Sequence, residues 1–272
     1  MNCLFSSIAW LPGQNSDVAY RLRKQGINGI EAAPGLFDRP LADLTHQEIN
    51  SVRMFWEQEG LPIRAMQALL FGKPELHLFG KHAERSALFE YLSLVFRVAG
   101  QLGGGPLVFG APKNRMRNGL AEPKAFAIAV DFFTRLAPRA TAEGCTLCIE
   151  ANATAYGCDF ITTHAAAIEF VAAVNTKGVG LQVDTGVMQM NQETPESLFA
   201  MLRQSGITPQ HVHASQPFLV PVYGDMLFHK CMANGLSEIG YQGFVSVEMK
   251  KANGMADITA AAKAIHQTYG VQ

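Results

Sequence analysis

Short, nearly continuous apolar runs alternate with longer amphipathic segments from one end of this chain to the other, and the alternation completes eight rounds. The runs are Leu4 to Trp10, Gly29 to Ala32, Ile63 to Ala68, Leu107 to Gly110, Thr146 to Glu150, Gly180 to Asp184, His211 to Ala214 and Phe244 to Glu248. Most lack polar alternation, which is what parallel strands buried on both faces require. The segments between them carry helix signals. Ser16 is placed to cap a helix that turns Val18, Ala19 and Leu22 inward before Gly26 closes it. Thr45 and Glu48 form a capping box ahead of Ile49, Val52, Phe55 and Trp56. Thr194 before Pro195 is a cap with proline at the first helical position. Helical patterns over 81–102, 123–142, 164–174, 225–239 and 256–269 complete the set, and Pro138 is expected to kink or shorten the fourth helix.

Eight βα rounds without a linker or a break in composition favour a closed barrel over an open doubly wound sheet, which more often stops at five or six strands. The 272 residues match the length of one such barrel, so residues 1–272 read as a single α/β domain, a (β/α)8 TIM barrel. With 48% hydrophobic and 17% charged residues the chain can fill that core. A formal net charge of -1 supplies no overall field to gather nucleic acid or an anionic membrane, so an anionic ligand would need a local site. No apolar stretch approaches the ~20 residues that span a bilayer. The N-terminal MNCLFSSIAW lacks the basic flank and the length of a signal segment, which makes cytoplasmic the default location. Cys3, Cys145, Cys148, Cys158 and Cys231 are odd in number and sit mostly in apolar runs. They read as buried thiols of a reducing compartment, Cys145-x-x-Cys148 included, rather than as a redox pair.

In a barrel of this kind the active site lies at the C-terminal ends of the strands. Strand five ends CIE at Glu150, strand six QVD at Asp184, strand seven contains HVHAS with His211 and His213, and strand eight ends VSVE at Glu248. Any one acid could be a surface residue opening a loop; the recurrence on four successive strands carries the reading. Three carboxylates and an imidazole at one depth suit one divalent ion, with Mn2+ or Mg2+ favoured and Co2+ or Zn2+ as alternatives. Without a cation, at least one of the crowded acids would have to stay protonated. His213 lies nearer the strand end and is the better ligand, whereas His211 is expected deeper, as a hydrogen-bonded core residue. Glu31 and Gln67 end strands two and three, Trp10 follows strand one, and all three could line the same bowl or serve as structural partners within the barrel. Lys113, Asn114 and Arg115 lie in GAPKNRMRNG, a basic turn able to take a phosphate or carboxylate, or else a solvated loop.

This pattern resembles the xylose isomerase-like TIM barrels, and within them the sugar phosphate isomerase/epimerase family that includes ketose 3-epimerases. The resemblance spans the chain, with its specific part in the C-terminal half. It implies that Glu150, Asp184, His213 and Glu248 bind the metal and that Glu150 and Glu248 are also the acid/base pair. One would take a proton from carbon beside a carbonyl, the other would return it, and the metal would hold substrate oxygens and neutralise the enediolate. Two positions depart from the 3-epimerases. Those enzymes carry a His three residues after the strand-six Asp and an Arg six residues after the strand-seven His, where this chain has Val187 and Leu219. The loop ASQPFLVPVYGD is also more apolar than a free hexulose would suggest. His229 could replace a lost hydrogen bond, or simply cap a helix, and Lys113, Arg115 and Gln67 are the other candidates for substrate contact. The leading expectation is therefore a metal-dependent isomerase or epimerase of a sugar, sugar phosphate or related polyol. The alternatives are a metal-dependent dehydratase of the same superfamily, or a degenerate barrel that binds sugar without turnover. DNA-repair nucleases of this fold need more metal ligands and a basic face, which argues against them. Related barrels commonly pair, so a homo-oligomer is compatible with the resemblance.

Overall fold

The computed structural model describes residues 1–250 and 253–270. Eight parallel strands close into a barrel in chain order: β1 (Asn2–Ser6), β2 (Gly29–Ala32), β3 (Ile63–Met66), β4 (Gly105–Phe109), β5 (Cys145–Glu150), β6 (Val179–Asp184), β7 (Pro209–Ser215) and β8 (Phe244–Glu248), with β8 pairing back onto β1. Around them run α1 (Asn15–Lys24), α2 (His46–Gln58), α3 (His82–Leu102), α4 (Glu122–Ala142), α5 (His164–Val174), α6 (Thr185–Met190), α7 (Pro195–Ser205), α8 (Leu227–Glu238) and α9 (Met255–Tyr269). Among the described residues no helix is long and apolar enough to cross a membrane.

The helices are amphipathic and turn their apolar faces onto the barrel. Phe109 of β4, Phe132 and Phe133 of α4 and Phe170 of α5 meet edge to face, with centroids 5.1 to 5.7 Å apart. Such contacts add about 0.5–1.5 kcal/mol each beyond the area they bury. All five cysteines are free thiols. Burial pushes Cys3 up to about 11, Cys145 up to about 12, and Cys148 above the usual thiol range. Cys145 and Cys148 are three residues apart on β5 and so point to opposite faces, which rules out pairing with each other.

The capping box at Thr45 and Glu48 forms, as does the Thr194 cap before Pro195. Three local expectations are corrected and one helix is added. Strand one stops at Ser6 rather than Trp10, because the Ser6 hydroxyl accepts the Ile8 N–H at 3.5 Å and starts a 3-10 turn. Ser16 is inside α1 and not its cap: a turn begun at Pro12 runs directly into the helix, and the Leu11 N–H is taken by Gln14 Oε1 at 2.9 Å. Pro138 does not end α4, which continues to Ala142. Pro138 and Thr134, whose carbonyl the proline leaves unbonded, both lie on the exposed side, while Phe133, Leu136, Ala137 and Ala140 hold the buried side. Finally, α6 follows β6 directly, one turn too short to announce itself by periodicity.

Register puts the strand ends at a common level. Glu150 pairs with Gln182, Asp184 with His213, and Ser215 with Glu248.

Candidate metal centre

Four side chains from four consecutive strands converge. One donor atom from each of Glu150, Asp184, His213 and Glu248 lies within 4.8 Å of the other three. His213 Nδ1 is the hub, 3.3 Å from Glu150 Oε1, 3.2 Å from Glu248 Oε2 and 3.8 Å from Asp184 Oδ2. Glu150, Asp184 and Glu248 are the last residues of their strands, while His213 stands two residues before the end of β7, as the slanted register of a barrel requires.

Each acid is held from behind. Asn152 Nδ2 donates to Glu150 Oε2 at 2.9 Å, and Arg115 donates to the Glu150 backbone carbonyl at 2.7 Å. A Cβ at Gly110, just past β4, would come within 2.2 Å of Glu150 Oε2, so this carboxylate occupies space that only glycine leaves open. Asp184 caps α6: its Oδ1 accepts the Val187 N–H at 2.6 Å, and its Oδ2 accepts from Ser215 Oγ at 2.7 Å.

His213 is oriented by Glu31, at the heart of the barrel on β2. Glu31 Oε1 and Oε2 lie 3.0 and 3.1 Å from His213 Nε2, and Oε1 lies 3.0 Å from His211 Nε2. Ser246 Oγ donates to Glu31 Oε2 at 2.7 Å, and Gln67 Nε2 approaches it at 3.4 Å. A carboxylate facing Nε2 keeps a hydrogen there and turns Nδ1 to the three acids, so that Nδ1 is the nitrogen a metal would take once its proton is displaced. Burial works against the Glu31 charge, yet His213 and His211 hold its carboxyl well below the usual range.

Burial, with Glu248 and Glu150 alongside, pushes Asp184 up to about 7 from an ordinary 3.8. A group that holds its proton more tightly when folded stabilises fully below its unfolded pKa and loses that contribution as pH rises through the folded value. Burial opposes the charged form of His213, but Glu31 and Glu248 raise it well above the ordinary imidazole range, and the sign is the same. Glu31 acts oppositely below its ordinary 4.5, and His211 and His229, both lowered by burial and His229 to about 4, act oppositely below the ordinary imidazole 6.5. Metal-free protein should therefore lose thermal stability as pH rises above about 6.5, where only Asp184 and His213 still release protons. A divalent ion bound at these four donors would displace their protons, so any gain in Tm on adding Mn2+ should be larger near pH ~7.5 than near pH ~5. Thermal melts with Mn2+ or with chelator at both pH values check this, and equal gains would contradict it.

The residues expected to touch substrate are spread more widely. Gln67 is buried, and its amide donates to Ser6 Oγ at 2.6 Å. His229 is fully buried on α8, with Nδ1 3.0 Å from the Tyr269 hydroxyl and Nε2 3.3 Å from Gln216 Nε2. Burial lowers it to about 4. Lys113 is exposed. Arg115 is 1% exposed, beside Glu150, and its Nε and Nη1 have no partner among the described residues. The rest of the basic turn is used internally. Asn114 donates to the carbonyls of Lys73 and Leu76, and Arg117 pairs with Asp159 and Glu122. Val187 is buried, offering Asp184 its backbone only. Leu219 and Phe218 both adopt left-handed backbone, with φ of 55° and 59°, held by the Tyr156 hydroxyl, which accepts the Phe218 N–H, and by the Lys250 N–H, which donates to the Leu219 carbonyl.

Comparison with solved structures gives the same architecture. A D-psicose 3-epimerase crystallised in the presence of D-fructose superposes with a TM-score of 0.80 at 17% identity, covering 100% of both chains. D-psicose 3-epimerase with D-tagatose from Clostridium cellulolyticum H10 gives 0.79 at 14% identity, covering 99% of this chain and 98% of that one. The IOLI protein with a bound zinc atom gives 0.71 at 19% identity, covering 99% and 98%. No curated protein sequence matches significantly. The family model described as xylose isomerase-like TIM barrel matches residues 19–268, and with the eight-stranded closed barrel it establishes that the chain belongs to that family.

Proposed function

We propose that this chain is a divalent-metal-dependent isomerase or epimerase of a sugar, a sugar phosphate or a related polyol. The observation that carries the reading is His213 Nδ1, turned by Glu31 toward Glu150, Asp184 and Glu248. Three carboxylates and one imidazole nitrogen form a donor set that fits Mn2+ or Mg2+, with Co2+ or Zn2+ as alternatives. It also explains why three acids are gathered at the mouth of a barrel with one histidine between them. When bound, such an ion supplies a Lewis acid that polarises a carbonyl and offsets the charge left as a proton departs.

The chain's own residues supply the rest. Glu150 and Glu248 come from strands three apart around the barrel and approach His213 at nearly equal distances, 3.3 and 3.2 Å. One removes the proton from carbon next to the carbonyl, and the other delivers a proton to the same carbon from the opposite side, which inverts it. If one carboxylate removes the proton and delivers it to the former carbonyl carbon, while the hydroxyl proton of the first carbon passes to the former carbonyl oxygen, the outcome is aldose–ketose isomerisation. Asp184, with both oxygens already hydrogen-bonded, is a poor proton shuttle and serves as a ligand. Lys113 and the unpartnered Nε and Nη1 of Arg115 are the groups offered to a charged substituent, Gln67 supports the site from behind through Glu31, and His229 is tied to Tyr269 and Gln216.

The test begins with elemental analysis of purified wild type and His213→Ala. About one equivalent of divalent metal in wild type, lost in the variant, supports the centre. Metal-loaded wild type in D2O should then incorporate deuterium into a ketose, an aldose or one of their phosphates, read by mass. No metal uptake from added Mn2+, Mg2+, Co2+ or Zn2+, or no exchange into any such substrate, would overturn the reading. Loss of water from the product would instead assign the same proton abstraction to a dehydratase.

A further inference from the structure

We propose that His164 and Glu193 form a positioning dyad that fixes the main chain of Asp184 and so holds its carboxylate in the metal centre, an inference that rests on the metal-dependent reading above. His164 opens α5, and its ring is fully buried. Its Nε2 lies 3.2 Å from the Asp184 backbone nitrogen. A backbone N–H can only donate, so Nε2 is the acceptor and the ring hydrogen sits on Nδ1. Nδ1 meets Glu193 Oε2, and the other carboxylate oxygen accepts the His164 backbone N–H at 3.1 Å. Glu193 thus grips one residue twice and leaves its imidazole a single tautomer.

The need for this acceptor follows from the strand register. β5 ends at Glu150, opposite Gln182, so Asp184 extends two residues beyond the last pair on that side. Its N–H has no strand to receive it, and a buried amide without a partner costs about 1–3 kcal/mol. His164 supplies the missing partner. Asp184 is then held at three points: its backbone by His164, and its two oxygens by Val187 N–H and Ser215 Oγ. Glu193 is itself anchored in the segment that follows, its N–H donating to the Met188 carbonyl at 2.8 Å.

A plain staple between α5 and the α6–α7 connection is the competing account. That task needs no imidazole, because a carboxylate on free N–H groups at the start of a helix would suffice. Asn191 Nδ2, donating to the Thr162 carbonyl at 2.8 Å, already performs it nearby. The ring is required only to pass the restraint on to Asp184.

The experiment measures Mn2+ affinity by calorimetry, the visible spectrum of the Co2+-loaded protein, and the Tm of metal-free protein. His164→Leu should raise the Mn2+ Kd by roughly 10–100-fold, the usual cost of losing an outer-shell partner, and shift the Co2+ bands. His164→Gln, whose amide oxygen can accept the Asp184 N–H, should bring the Kd back to within a few-fold of wild type. Asn191→Ala should lower Tm without changing Mn2+ affinity. Should His164→Leu not fold, Glu193→Gln is read in its place, with a loss of affinity of several-fold expected. Wild-type affinity and Co2+ spectrum in folded His164→Leu, or in Glu193→Gln, overturn the dyad alone. Failure of wild type to bind Mn2+ overturns the metal reading and the dyad with it.

Discussion

Glu248→Gln is expected to slow conversion of substrate to product by about 10^2 to 10^4-fold, the usual contribution of a positioned general acid or base. Both Glu248 and Glu150 approach His213 Nδ1, so either substitution removes a charged metal donor as well as a base. The two effects separate in a Mn2+ titration. Glutamine keeps an oxygen donor, so raising Mn2+ refills the site, and a deficit that persists at saturation belongs to proton transfer. Recovery of turnover with added metal would reduce the residue to a ligand. Glu150→Gln, measured beside it, distinguishes the two chemistries. If each carboxylate serves one side of the carbon, as epimerisation requires, both variants lose turnover, although the surviving base can still wash deuterium into one epimer. If one carboxylate does all the work, only its variant is impaired in proton transfer once metal is restored.

The barrel and the converging strand ends were legible because both are written in local order. Eight apolar runs of strand length define the closed sheet, and the terminal residues of β5, β6 and β8 are acids whatever the loops do. What holds them was hidden, since it depends on contacts far apart in the chain. Glu31 was legible only as a bowl-lining or structural residue near the end of strand two; that it reaches His213 across 182 residues and Ser246 across 215 is something its place in a four-residue strand does not give. Gly110 looks like an ordinary turn glycine until the Glu150 carboxylate is seen where its Cβ would be. His229, read as a substrate contact or a helix cap, meets Tyr269 from α9, a neighbour no spacing rule supplies. The burial of Arg115 within a run of basic and amide residues was equally invisible, because composition alone reads such a turn as solvated. The link from His164 to Asp184 exists only because β5 stops two residues short of its neighbour, a register detail beyond sequence periodicity.

Glu31 should prove the most costly single residue in the barrel interior. It is fully buried and receives His211, His213 and Ser246 at 2.7 to 3.1 Å, with Gln67 at 3.4 Å. Glu31→Ala leaves these donors unpaired and removes the charge that offsets His213. Breaking a buried ion pair from one side costs about 3–5 kcal/mol, and a Tm lower by roughly 6–20 °C is expected in thermal melts. Glu31→Gln separates stability from metal binding. Its amide fills the same volume, so the fold should lose less. With the charge gone and an NH2 group in one of the two positions 3.0 and 3.1 Å from His213 Nε2, however, the ring is no longer held to carry its hydrogen there and is free to carry it on Nδ1, the atom that faces the three acids. Mn2+ affinity in Glu31→Gln should therefore fall by roughly 10–100-fold while Tm falls less than in Glu31→Ala. Wild-type Mn2+ affinity in Glu31→Gln would mean that Glu31 supports the fold without setting the tautomer of His213.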